Sequence, residues 1–190
     1  GLPTAGKKES QEICFIPGKS HNEFLCRHLK MKKGKIKTLE DEILGEHQGL
    51  PLYTIGQRRG VEVGGTGPYY VARRDRKTNT LYVVKDGNDS ALHSGKFFVK
   101  NVNWISGSEP KSPFKCEAVI RYRHKPVKCV VENAPLIKAC LSDLPAYKQG
   151  RRGGVGGIYS VKFVEPQRAV TPGQSVVFYR KNGRSSSSKE

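Results

Sequence analysis

The sequence predicts a mainly β (α+β) protein: a small mixed connector followed by an antiparallel β-barrel. Three observations carry this. Short apolar runs recur at turn-punctuated intervals from Lys35 onward, the signature of several short strands. Only one well-signalled segment, after Ser20, has helical spacing. The 190 residues are 36% hydrophobic, enough for a core, while no run approaches the ~20 apolar residues of a membrane-spanning helix.

Taken in order, Glu9-Ser10-Gln11-Glu12 leads into Ile13-Cys14-Phe15-Ile16, a short strand or loop that Pro17-Gly18 stops. Ser20-His21-Asn22-Glu23 is a capping box. The Ser hydroxyl accepts from the third helical N–H while Glu reaches back. Phe24, Leu25, His28 and Leu29 then supply one apolar face, and Gly34 ends the helix after the basic run Lys30 to Lys33. Tyr69–Ala72 and Leu81–Val84 flank the turn chemistry of Arg73, Asp75 and Asn79, which predicts a hairpin. Asp86-Gly87-Asn88 closes that unit and suggests a boundary near residue 90. Beyond it, strands are expected at Phe97–Val99, Val102–Ile105, Cys116–Tyr122, Val127–Val131, Tyr159–Val164 and Ser175–Tyr179. The serine run at 185–188 reads as a disordered tail.

Charge narrows the partners. The chain has 34 Lys+Arg against 17 Asp+Glu, a formal +17. Residues 1–95 hold 16 basic and 11 acidic groups (+5), and residues 96–190 hold 18 and 6 (+12). Such an excess suits a polyanion, because Lys and Arg contacts to phosphate release condensed counterions; a merely solvating surface is the plainer alternative. A membrane surface is disfavoured, since no long basic amphipathic helix is present. Gly1–Ala5 has neither an initiator Met nor a signal-peptide core, so a soluble chain beginning inside a longer polypeptide is expected.

Individual residues carry less. The five cysteines (Cys14, Cys26, Cys116, Cys129, Cys140) lack zinc spacing and any Cys-x-x-Cys, which points to reduced thiols. Cys116, Cys129 and Cys140 sit in apolar runs, where Cys acts as a small buried hydrophobe. No metal site is expected: the histidines (His21, His28, His47, His93, His124) show no ligand spacing, and surface or cap roles are assigned to each. Gly64–Gly67 and Gly150–Gly157 precede strands, without the Gly-Lys-[Ser/Thr] of a phosphate loop, and read as turns; Arg151 and Arg152 would be free to meet phosphates. Arg121-Tyr122-Arg123-His124-Lys125 ends an apolar strand. There Arg121 and Arg123 would share one face and Tyr122 the other, cations for phosphate and a ring for a base. By composition alone Cys14 reads as a buried structural thiol.

The order of motifs changes that last reading. Ser10-Gln11-Glu12-Ile13-Cys14-Phe15-Ile16-Pro17 resembles the persulfide-cysteine segment of tRNA-specific 2-thiouridylases. Gly45-Glu46-His47-Gln48-Gly49-Leu50 with Tyr53-Thr54-Ile55-Gly56-Gln57-Arg58-Arg59-Gly60, then Pro68–Val71, Val102–Trp104, Arg121–Arg123 and Ala169–Gln174, resemble the same family in the same order.

The resemblance implies an ATP-dependent tRNA-uridine 2-sulfurtransferase that makes 2-thiouridine at the wobble position (U34) of tRNAs for Lys, Glu and Gln. ATP, with Mg, would adenylate the C2 oxygen, and a persulfide on Cys14 would deliver the sulfur. RNA contacts are implied at Arg121, Tyr122, Arg123 and Gln174. A sulfur carrier or cysteine desulfurase is the implied donor, a disulfide bond a further implied feature, and the cytoplasm, or the mitochondrion, the implied compartment. On this reading residues 1–18 are the tail of a catalytic nucleotide-binding domain, 19–90 a central connector, 91–182 the tRNA-binding barrel and 183–190 a disordered tail. The family's Ser-Gly-Gly-Val-Asp-Ser phosphate loop does not occur in these 190 residues. The chain by itself is therefore expected to bind tRNA without thiolating it. Two other readings remain: a non-catalytic RNA-binding β-barrel module, and a thiol-redox protein using Cys14, which lacks a resolving cysteine nearby.

Overall fold

A computed structural model describes residues 21–61, 63–64, 67–121, 124–134 and 157–180. They are mainly β and fall into two compact units, divided between Lys85 and Asp86. The expected segments around Cys14, at Tyr122-Arg123, around Cys140, at Gly150–Gly156 and at 183–190 lie outside the described residues.

The first unit opens with α1 (His21–His28), the helix the spacing predicts, but it stops at His28 and not at Gly34, which instead begins the first strand. Glu23 and Arg27 pair across one turn, with the acid nearer the N-terminus, the favourable sense for the helix dipole. Four strands follow: β1 (Gly34–Lys37), β2 (Ile43–His47), β3 (Tyr70–Asp75) and β4 (Thr80–Val84), ordered β2-β1-β4-β3. β1 and β4 run parallel, with Ile36 opposite Leu81, and the other pairs are antiparallel. Lying inside the sheet, β4 is buried at all five positions. In the expected β3–β4 hairpin, Asp75 Oδ1 accepts from the N–H groups of Lys77 and Thr78, and Asn79 takes a left-handed φ of 51°. A bulge between Val71 and Arg73 lets the consecutive residues Val71 and Ala72 both be buried. The core gathers Ile36, Leu50, Tyr53, Tyr69, Val71, Leu81 and Val83.

The second unit is an all-antiparallel five-stranded sheet. Its strands are β5 (His93–Lys100), β6 (Phe114–Val119), β7 (Val127–Asn133), β8 (Ile158–Arg168) and β9 (Val177–Tyr179), ordered β5-β8-β7-β6-β9. Pro166, which has no N–H to donate, lies where β8 departs from the β5 register between Ser94 and Lys96. Ala118, Ile120, Cys129, Val131, Tyr159, Val161 and Phe163 form the core.

Three further expectations need correction. Val102–Ile105 is not a strand: Asn101, at φ 56°, turns the chain directly after β5. Trp104 instead sets its ring edgewise against Phe114 and Tyr159, and Ile105 is 97% exposed. β6 stops at Val119, short of the expected Tyr122, and beyond it the Arg121 carbonyl accepts from the His124 N–H at 3.0 Å, a turn bond in place of a ladder bond. His47, expected in a surface or cap role, is completely buried at the end of β2.

Candidate nucleic-acid interface

The chain leaving β6 places Ile120 in the core and Arg121 at its edge. Arg121 reaches the segment after β8. Its Nε donates to Gln174 Oε1 at 3.3 Å, and one Nη donates to the Ala169 carbonyl and, at 3.4 Å, to Thr171 Oγ1. Ala169 is buried at φ 53°, a left-handed turn that aims its carbonyl at the guanidinium; its own N–H donates to the Leu92 carbonyl at 2.7 Å. Arg121 and Gln174, fifty-three residues apart and both expected to meet RNA, are therefore hydrogen-bonded to each other. The strand alternation expected for Arg121 does not apply, since it stands in a turn, and a fork of N–H donors now explains its place.

One turn on, His124, Lys125, Lys128, Val164, Glu165 and Gln167 line an open groove of about 610 Å³. His124 Nδ1 lies 3.0 Å from the Lys125 carbonyl. Val164 stands 69% exposed and gives the groove an apolar lining, shared with the cations Lys125 and Lys128 and the single acid Glu165. Cations around a partly apolar floor suit a polyanion carrying planar bases better than a compact acidic ligand. The remaining expected contacts, Tyr122 and Arg123, lie outside the described residues, as does Cys14.

In the first unit, the segments Gly45–Leu50 and Tyr53–Gly60 converge. Glu46, Gln48, Tyr53, Gln57 and Arg59, with Asn22 of α1, line a second hollow of about 530 Å³. Gln57 ties its wall: its Oε1 accepts from the Thr54 N–H at 2.9 Å and its Nε2 donates to the Arg59 carbonyl at 2.7 Å. His47, packed edgewise against Tyr53, donates from Nε2 to the Asn79 carbonyl at 3.1 Å, which places a hydrogen on Nε2. Its buried Nδ1 has no hydrogen-bond partner among the described residues. Asn79 Nδ2 donates in turn to the carbonyls of Lys33, at 2.8 Å, and Lys32, at 3.3 Å. A Cβ on Gly34 would stand 2.0 Å from the Asn79 carbonyl oxygen, so only glycine fits there. Arg74, also unassigned from sequence, donates to the Tyr53 carbonyl at 2.9 Å; burial, then Arg76, lowers its pKa. Such links between distant turns leave no trace in local spacing.

No glycine-rich loop opens a helix among the described residues, and α1 begins at His21. They offer no cradle for the triphosphate of ATP, so no step is derived through it. No three His, Cys, Asp or Glu side chains among them gather as metal ligands. No helix among them is long and apolar enough to cross a membrane. No disulfide joins the described cysteines Cys26, Cys116 and Cys129, which are free thiols.

Comparison with known proteins yields two domain families and a set of relatives. Residues 22–85 match the tRNA methyl transferase PRC-barrel domain, and residues 94–138 and 156–184 match the aminomethyltransferase beta-barrel domain. The tRNA-specific 2-thiouridylase MnmA of Geobacillus thermodenitrificans is 41% identical over 180 residues, covering 94% of this chain and 43% of that protein. That of Burkholderia thailandensis is 39% identical over 184 residues, covering 94% and 44%. The chain thus spans less than half the length of these curated relatives.

Proposed function

The chain belongs to the tRNA-specific 2-thiouridylase family, and from that premise we propose that it supplies the tRNA grip and the sulfur-carrying cysteine of a tRNA-uridine 2-sulfurtransferase. The observation that carries the grip is the Arg121–Gln174 hydrogen bond beside a groove holding Lys125 and Lys128. Backbone phosphates would lie along these cations, and an unpaired base would rest on the apolar floor at Val164. The substrate is the wobble uridine (U34) of tRNAs for Lys, Glu and Gln, with Arg121, Tyr122, Arg123 and Gln174 as its contacts.

Cys14 holds the persulfide, loaded by a sulfur carrier or cysteine desulfurase. A thiolate suits this work because it is both nucleophile and leaving group in sulfur exchange. ATP and Mg, which would make the uridine oxygen a leaving group, belong to a part of the enzyme other than the described residues. The cytoplasm is the proposed compartment.

Two measurements test this. The 190-residue chain is titrated with tRNA for Lys while binding is followed by fluorescence anisotropy; micromolar or tighter binding that weakens with salt is expected, and no binding at 50 mM salt would overturn the grip. In the full-length enzyme, Cys14→Ser should abolish thiouridine formation, read by nucleoside mass spectrometry, and leave tRNA affinity within twofold. Equal loss of both would make Cys14 structural, and undiminished thiolation would remove Cys14 from sulfur transfer.

A further inference from the structure

The sequence places Cys116 and Cys129 in separate apolar runs, thirteen residues apart, with no motif to join them. The fold makes them direct partners across the β6–β7 ladder, with Phe114 opposite Val131 on one side and Ala118 opposite Val127 on the other. Their sulfurs lie 3.5 Å apart. Directly opposed antiparallel residues have Cα atoms about 4.5–5.5 Å apart, inside the window a disulfide needs, so side-chain rotation alone would bring the sulfurs to bonding distance. Cys129 is 2% exposed, whereas Cys116 is only half-buried.

We propose that Cys116 and Cys129 form an oxidisable dithiol that closes to a cross-strand disulfide by exchange with a small-molecule disulfide such as oxidised glutathione. The roles of the two thiols follow from their environments. Cys116 is the one a small disulfide reaches. The hydrogen bond from Cys129 lowers its pKa and favours its thiolate, while that same bond, with burial added, raises Cys129 and keeps it a thiol. In the first step the Cys116 thiolate attacks one glutathione sulfur, forming a mixed disulfide and releasing glutathione thiolate, which takes up a proton from solvent. In the second, the Cys129 sulfur attacks Cys116 Sγ, breaks the mixed disulfide and releases the second glutathione, the Cys129 proton leaving with it. The protein loses two electrons and two protons, and one glutathione disulfide becomes two thiols. The closed ring, residues 116–129, encloses Arg121 and the groove residues His124, Lys125 and Lys128, so the bond clamps the base of the basic turn.

The test uses the whole 190-residue chain, reduced, desalted, incubated with oxidised glutathione, then denatured, blocked with N-ethylmaleimide and digested with trypsin. The peptides beginning at Cys116 and Cys129 should appear as one linked species, about 2 Da below the sum of the two thiol peptides and free of maleimide. Cys129→Ser should instead trap glutathione on Cys116, and Cys116→Ser should leave Cys129 carrying maleimide alone. The proposal is overturned if, in the wild-type chain, both cysteines carry maleimide while exposed Cys26 is glutathionylated. It is also overturned if either cysteine is found linked to any other.

Discussion

Replacing Arg121 with Ala separates two jobs that its position combines. Its guanidinium ties the turn after β6 to the segment after β8 through Gln174, Ala169 and Thr171. The Ala169 bond is charge-assisted and partly buried; the bonds to Gln174 and Thr171, at 3.3 and 3.4 Å, are long. Allowing about 1–1.5 kcal/mol for the first and about 0.5 for each of the others gives a loss of about 2 kcal/mol. At roughly 4–8 °C per kcal/mol for a domain near 100 residues, the melting midpoint of the second unit should fall by about 8–16 °C. These bonds use three of the five guanidinium N–H donors, so the clamp leaves room for a phosphate contact. One lost phosphate contact should reduce the slope of log K against log salt by about 0.7–0.9.

Circular dichroism melting and tRNA anisotropy titrations between 50 and 200 mM salt read the two effects independently. Arg121→Lys keeps the charge and loses the fork, so it should retain the salt slope while still showing most of the fall in melting midpoint. A midpoint change below 2 °C in Arg121→Ala would refute the clamp. A destabilised variant with an unchanged slope would leave Arg121 a loop anchor and remove it from the RNA interface.

Two further changes probe the first unit. Gly34→Ala drives a Cβ to 2.0 Å from a backbone oxygen, so β1 or the Asn79 turn must shift, at a cost of about 2–3 kcal/mol by urea denaturation. Gly45→Ala, which meets nothing within 4 Å, is the control, and equal costs for the two would show that close packing is not the cause. His47→Ala empties a fully buried site and leaves the Asn79 carbonyl without its donor, so about 3 kcal/mol should be lost. A loss below 1 kcal/mol in the same unfolding assay would mean that the site collapses or admits water.

The start of the helix and the β3–β4 hairpin were legible because their causes are local. A capping box followed by Phe24, Leu25 and His28 predicts α1, and Asp75 with Asn79 predicts the turn between β3 and β4. Val102–Ile105 misled because apolar content alone does not distinguish a strand from a loop whose large rings dock on a core. The alternation argument at Arg121 failed because it needs a continuing strand, and the turn closed by the His124 N–H ends it. His47 looked peripheral because nothing near it in sequence supplies its partner; Asn79 lies thirty-two residues away.

By itself, the sequence determined the mainly β class, the basic charge of the second half and, through ordered motifs, the family. These follow from composition and from patterns within a few residues, which the chain carries before it folds. Tertiary structure decided which distant side chains meet: Arg121 with Gln174, His47 with Asn79, and Cys116 with Cys129. Each pair depends on strand order and register within its own unit, and no spacing along the chain encodes that geometry.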